Sequence, residues 1–168
     1  MRKYSDGGTF LDSLRFRFHL AHKLGVDPTS VEAQVIGEHG TSQVYLWSTA
    51  RVAGTAIVAD DAFRHEVGND VRYANISIIE GTGASQLGIG VVAARIAEMI
   101  LRSEGAVVPI GCYQEKFGVT LSLPSRVGRE GVTRVLMPTL ADDEARALDE
   151  SAATLRRACS QSTSARLA

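Results

Sequence analysis

Gly37-Glu38-His39-Gly40-Thr41-Ser42 is the stretch whose reading decides the rest of the chain. It follows an apolar run at residues 31–36 that reads as a buried strand, and its glycines mark a tight turn. An imidazole is thereby set at a strand end, where backbone can approach a ligand closely. Histidine titrates near neutrality, so such a ring can give and take a proton. A carboxylate is the usual group that fixes its tautomer and steadies its cation. One stands upstream in Leu11-Asp12-Ser13-Leu14-Arg15-Phe16-Arg17, where a helix would put Asp12 and Arg15 on one face. Spacing alone leaves plain readings for both stretches. A histidine in a glycine turn is more often structural than catalytic, and an exposed i,i+3 ion pair contributes about 0–1 kcal/mol.

The chain of 168 residues is one domain-sized unit. A net charge of −1, without blocks of like charge, argues against a nucleic-acid-wrapping surface. No apolar run approaches the roughly 20 residues of a membrane span, and the basic start lacks the apolar segment of a signal peptide. A cytoplasmic protein is therefore expected. Cys112 and Cys159 lie far apart without a C-x-x-C, and the apolar flanks of Cys112 suggest a buried thiol.

Helical spacing of Phe10, Leu11, Leu14, Phe18, Ala21 and Leu24 predicts a helix from Gly8 or Thr9 to about Leu24, ended by Gly25. His19 and His22 share it at i,i+3 but lack a third ligand at a recognisable spacing, so no metal site is assigned. Residues 31–36 and 43–47 read as neighbouring strands, Gly54 as a break, and Asp60-Asp61 as polar punctuation near an exposed His65. A helix over 71–79 is interrupted at Gly81-Thr82-Gly83 and resumes from Ala84 to about Arg102, with most of its circumference covered. Gly81-x-Gly83 is no dinucleotide loop, because no strand precedes it and the third glycine is missing. It reads as a helix junction that sets the Ser85 hydroxyl at a helix N-terminus facing a cleft. Residues 106–112, 119–123 (closed by Pro124) and 132–137 read as antiparallel strands. Thr139 and Asp142 resemble a capping box for a helix to about Ala158, with Ala141, Ala145, Leu148, Ala152 and Leu155 as its seam. The layout is α+β, with long helices packed on antiparallel hairpins.

The Asp12 and His39 stretches, in this order and at this separation, resemble the lactate and malate dehydrogenases, the NAD-dependent L-2-hydroxy-acid dehydrogenase family. The likeness continues through Leu46-Trp47-Ser48, Gly83-Ala84-Ser85, Leu121-Ser122-Leu123-Pro124 and Gly128-Arg129-Glu130-Gly131-Val132. It runs from about Gly8 to about Arg157 and corresponds to the C-terminal, substrate-binding half of such an enzyme. Residues 1–7 are accordingly read as a leader outside the family, 8–158 as the catalytic domain and 159–168 as a flexible tail.

That resemblance implies the same α+β fold, NAD as cofactor and a small 2-hydroxy or 2-oxo acid as substrate. It also implies two kinds of protein partner, a nucleotide-binding half and further copies in a homo-oligomer. His39 would be the acid/base and Asp12 its partner, pushing the imidazole pKa upward. Arg15 would clamp the substrate carboxylate through its planar fork, and Ser85 would stand beside the substrate. No residue here is assigned to the cofactor. Three departures stand out. Thr41 replaces the acidic residue common after the histidine-glycine pair. Glu32 stands where many bacterial members carry a histidine that, with the arginine matched by Arg17, binds a sugar bisphosphate activator. A carboxylate repels phosphate, so fructose bisphosphate should not shift substrate affinity. Nothing resembles the family's Rossmann half or its mobile arginine loop, which carries the residue that most strongly separates lactate from malate; Thr41-Ser42-Gln43 and the surroundings of Ser85 favour lactate weakly, with malate and larger acids left open. The other classes are a non-catalytic remnant kept for dimerisation and a small-acid binding module anchored by Arg15.

Overall fold

In the computed structural model, which describes residues 7–165, helix α1 (Gly8–Leu24) is the element against which the others are laid. Gly25 ends it in the left-handed conformation expected of a helix C-terminus. The buried face differs from the predicted stripe. Phe10, Phe16, Leu20 and Ala21 are buried together with the polar Thr9, Asp12 and Ser13, whereas Phe18 and Leu24 are exposed. Ser13 and Arg17 turn inward to bind other elements. Ser13 Oγ accepts the Val35 N–H at 2.8 Å, and Arg17 Nε donates to the Ala33 carbonyl at 2.9 Å.

Those bonds break the apolar run 31–36 in two. β1 (Val31–Glu32) joins β4 (Arg51–Val52) and β5 (Thr55–Ala56) in a three-stranded sheet, while β2 (Val35–Gly37) enters a five-stranded one. Between them the Ala33 carbonyl faces Arg17 and the Gln34 carbonyl accepts the Leu46 N–H at 3.0 Å. The expected break at Gly54 is a β4–β5 hairpin, with Ala53 and Gly54 at positive φ.

In the larger sheet β3 (Gln43–Tyr45), β2, β7 (Val119–Gly128) and β6 (Ala106–Gln114) lie side by side, and β8 (Gly131–Val135) pairs with β7. All pairings are antiparallel. Strand β7 does not stop at Pro124. It pairs there with Pro109, a position where neither residue has an N–H to offer, and the Pro124 carbonyl accepts from Leu136 N at 2.7 Å. Adjacent strand residues point to opposite faces, which Val35 and Ile36 show. Val35 packs with Phe16, Leu20 and Trp47 under α1, and Ile36 packs with Leu121, Leu123, Leu148 and Ala152 under α4 (Asp142–Ala165).

Asp60 is not punctuation but the N-cap of α2 (Asp61–Thr82), its side chain accepting from Phe63 N at 2.8 Å. Gly83 closes α2 in the left-handed region, and α3 (Gln86–Leu101) follows. The expectation that α3 is mostly covered fails. Val92 and Met99 are buried, but Leu87, Val91 and Leu101 are 85%, 65% and 76% exposed. Cys112 is half-buried rather than buried, and Cys159 is exposed. Helix α4 continues past Ala158 through the first residues expected to form a flexible tail. The leader expected at 1–7, apart from Gly7, lies outside the described residues, as does the end of that tail. No helix among the described residues is long and apolar enough to cross a membrane.

Candidate active site

The lacing of α1 to the chain before β2 brings the Asp12 carboxylate to the turn that follows β2. Asp12 is 2% exposed, and its Oδ2 lies 2.7 Å from Nδ1 of His39. Its other oxygen faces Arg15, whose Nη1 is 3.5 Å away. One carboxylate therefore serves a titratable imidazole through a short bond and a permanently charged guanidinium through a looser one. With Asp12 accepting, the proton of the neutral ring sits on Nδ1, and proton exchange with a ligand falls to Nε2.

The ring lies flush against the start of α1. A Cβ placed on Gly8 would come within 2.4 Å of His39 Cγ and 2.5 Å of Cδ2, so only a residue without a side chain admits the imidazole there. His39, Asp12, Arg15 and Ser85 border one cavity of about 430 Å³. Ser85 is the N-cap residue of α3 but makes no capping bond with its side chain. All four residues singled out from the sequence thus meet in a common hollow. A larger cavity of about 600 Å³ between α1 and α2 shares Arg15 and is otherwise lined mainly by apolar side chains such as Leu14, Phe18 and Ile78. The Asp12–His39 pair borders the smaller one.

Thr41 and Gln43, from the turn and β3, border the cavity as well. Arg72 and Asn75, from α2, also line it and are not evident from sequence. Arg72 brings a second guanidinium to the wall, and its Nε is buried without a hydrogen-bond partner among the described residues. Its helix begins at an aspartate pair that, from sequence, reads as the edge of a loop or short helix. Beside the cavity, burial pushes the Tyr45 hydroxyl pKa up to about 12, against the opposing effects of its Gln43 hydrogen bond and the Arg72 charge. Tyr45 is thus held as a neutral donor to the Gly68 carbonyl at 2.9 Å. Arg17 is turned inward to Ala33. Burial lowers its pKa, with the Glu32 charge opposing.

Gly81 and Gly83 lie at a helix–helix junction, not between a strand and a helix.

Comparison with known proteins bears on the same residues. A family model described as lactate/malate dehydrogenase, alpha/beta C-terminal domain, matches residues 9–165. Curated relatives include L-lactate dehydrogenases of Chloroherpeton thalassium, 42% identical over 91% of this chain and 53% of the relative, and of Thermus aquaticus, 41% identical over 91% and 54%. The chain therefore spans about half the length of the curated relatives it matches. Among solved structures, an L-lactate dehydrogenase from Clostridium thermocellum superposes with a TM-score of 0.82 at 39% identity, covering 91% of this chain and 54% of that one. The minor L-lactate dehydrogenase of Enterococcus mundtii, in a ligands-bound form, gives 0.85 at 32% identity, with 91% and 52% covered. The polar inner face of α1, the Asp12–His39 contact at the end of β2 and these matches lead to one conclusion: the chain belongs to the lactate/malate dehydrogenase family, of which it carries the alpha/beta C-terminal domain.

Proposed function

We propose that this chain is the substrate-binding, proton-transferring half of an NAD-dependent L-lactate dehydrogenase that interconverts (S)-lactate and pyruvate. The observation that carries the reading is the 2.7 Å contact between Asp12 and His39 at the wall of a cavity that Arg15 also lines. In oxidation, His39 Nε2 takes the hydroxyl proton of lactate. The resulting imidazolium is steadied by Asp12 through Nδ1–H, and in reduction the same proton returns to the carbonyl oxygen of pyruvate. Arg15 anchors the substrate carboxylate through its planar fork, and Ser85 borders the same cavity beside the bound acid. The hydride is carried by a nicotinamide cofactor, and the sequence holds no strand–GxGxxG–helix unit to bind one. A nucleotide-binding half is therefore a required partner, and the isolated chain is inactive. The exposed apolar side chains Phe18, Tyr73, Leu87 and Val91 suit contact with that half or with further copies of the chain.

The test is to supply a family nucleotide-binding half, fused or as a separate chain, and follow NADH at 340 nm with pyruvate. Turnover is expected from the pair and from neither part alone. Changing His39→Ala should lower it by about 10²–10⁴-fold. Wild-type turnover in that variant would remove His39 from the acid/base role. Malate and larger 2-oxo acids assayed in parallel decide the substrate.

A further inference from the structure

We infer that Ser151, on the face of α4 turned to the sheet, is a positioning residue for His39. It holds the His39-bearing turn from the side opposite Asp12, an assignment that rests on the acid/base reading of that histidine. Ser151 is fully buried, and its Oγ accepts the backbone N–H of Glu38 at 2.8 Å. That amide immediately precedes the catalytic candidate. The same hydroxyl lies 3.4 Å from Ser42 Oγ, at the far end of the turn.

The turn also closes on itself. The Glu38 carboxylate accepts the Ser42 N–H at 3.1 Å and the Ser42 hydroxyl. Gly37 and Gly40 leave room for this arrangement. A Cβ on Gly37, at φ +84°, would stand 2.7 Å from Ser151 Oγ, and one on Gly40 would stand 3.1 Å from the Glu38 carboxyl group.

A hydroxyl in an apolar layer is costly unless it is bonded, and Ala152 beside it shows that a smaller, apolar residue packs in this layer. What Ser151 adds is a fixed point for the backbone just before His39. Ser13 fixes the start of β2 from α1 through Val35 N, and Ser151 fixes its end from α4. Between these two points the imidazole has one place to go, where Nδ1 reaches Asp12. With the second point removed the turn can slide, and Asp12 keeps its place while the ring leaves it.

Histidine-ring ¹⁵N NMR on this chain tests the inference without any cofactor. In the wild type the neutral His39 ring should carry its proton on Nδ1. Ser151→Ala should raise the population of the Nε2–H tautomer about tenfold and hasten exchange of the Nδ1 proton, the effect of losing one hydrogen bond. The ring signals of His19, His22 and His65 should hold. Ser151→Cys, a near-isosteric change that weakens the bond to the Glu38 amide, should shift the same signals in the same direction and serves if Ser151→Ala does not fold. In an enzyme joined to its nucleotide-binding half, Ser151→Ala should lower kcat about 10–100-fold with KM unchanged, because Arg15 is untouched. An unchanged His39 tautomer and proton exchange in folded Ser151→Ala, or in Ser151→Cys where only that variant folds, overturns the assignment. If these ring signals shift but the joined wild-type enzyme has no dehydrogenase activity, the positioning role stands and the functional reading falls.

Discussion

Gly8→Ala separates stability from chemistry more sharply than any change to the reacting groups. At the first helical position, alanine in place of glycine ordinarily stabilises a helix by roughly 0.5–1 kcal/mol. Here the new methyl group would stand 2.4 Å from His39 Cγ, 2.5 Å from Cδ2 and 2.9 Å from its Cβ. Carbon atoms rest at about 3.5–4.0 Å, so the ring must retreat by roughly 1 Å. The ring cannot retreat that far and keep a 2.7 Å bond to Asp12, because Asp12 is buried on the same helix as the intruding methyl. Displacement of about 1 Å in a reacting group costs on the order of 10²-fold in rate, or ~2.7 kcal/mol of transition-state stabilisation. Steady-state pyruvate reduction by the joined two-half enzyme measures this, with urea unfolding of the isolated chain as the companion assay. The expected result is a folded variant with kcat/KM down about a hundredfold. Full activity in a folded Gly8→Ala enzyme would show that the imidazole does not work from this position, and the proposed proton route would fail with it.

Three further outcomes follow from the same coordinates. Arg15→Lys keeps the charge but loses the planar fork, and should raise KM for the 2-oxo acid about 10–100-fold with a smaller change in kcat; an unchanged KM removes Arg15 from substrate binding. Phe16 is fully buried, with edge-to-face contacts to Tyr45 and Trp47 at centroid distances of 5.2 and 4.8 Å, so Phe16→Ala should cost about 3–5 kcal/mol in urea unfolding. A loss under ~1 kcal/mol would mean that the α1 core does not carry the fold. Burial lowers the His19 pKa, opposed by Asp70 at 3.8 Å and reinforced by Lys23, His22 and Arg15. Between that lowered value and the unfolded value near ~6.5 the unfolded chain holds a proton that the folded chain does not, so stability falls as pH drops through this window and levels off below it. His19→Gln should flatten that part of the Tm-against-pH curve, and an unaltered slope would assign the pH dependence to other groups.

How far sequence reaches into this structure depends on how far apart the interacting residues lie. Helix α1 is legible at both ends, because its period and the Gly25 stop are local signals. Asp12, Arg15, His39 and Ser85 are legible as well, since each sits in a short motif whose residues are contiguous. What sequence misreads are places where a distant group decides. The run 31–36 has the composition of one strand, but Arg17 and Leu46 take the carbonyls of Ala33 and Gln34 and split it. Asp60-Asp61 reads as the edge of a loop or short helix, yet Asp60 caps a helix of 22 residues. No sequence signal singles out Glu144. It is 4% exposed and takes hydrogen bonds from Ser48 N at 2.8 Å, Ser48 Oγ at 2.5 Å and Ala141 N at 3.0 Å.

Glu144 and Ser151 share one logic. Both project from α4, and both bind the backbone of the chain that carries or follows the His39 turn, at Ser48 and at Glu38. Helix α4, none of whose described residues lines the cavity, thus sets two fixed points on the segment between β2 and β4, while α1 supplies Asp12, Arg15 and the glycine seat. A proton-transfer site needs sub-ångström placement, and a surface turn ordinarily lacks it. Anchoring the turn to a helix on each face of the sheet gives a loop residue the placement of a residue on rigid secondary structure. The arrangement also explains why polar residues occupy the inner faces of both helices, where periodicity alone calls for leucine or valine. Those positions were shaped by what the turn must hold still, and the apolar core closes around them.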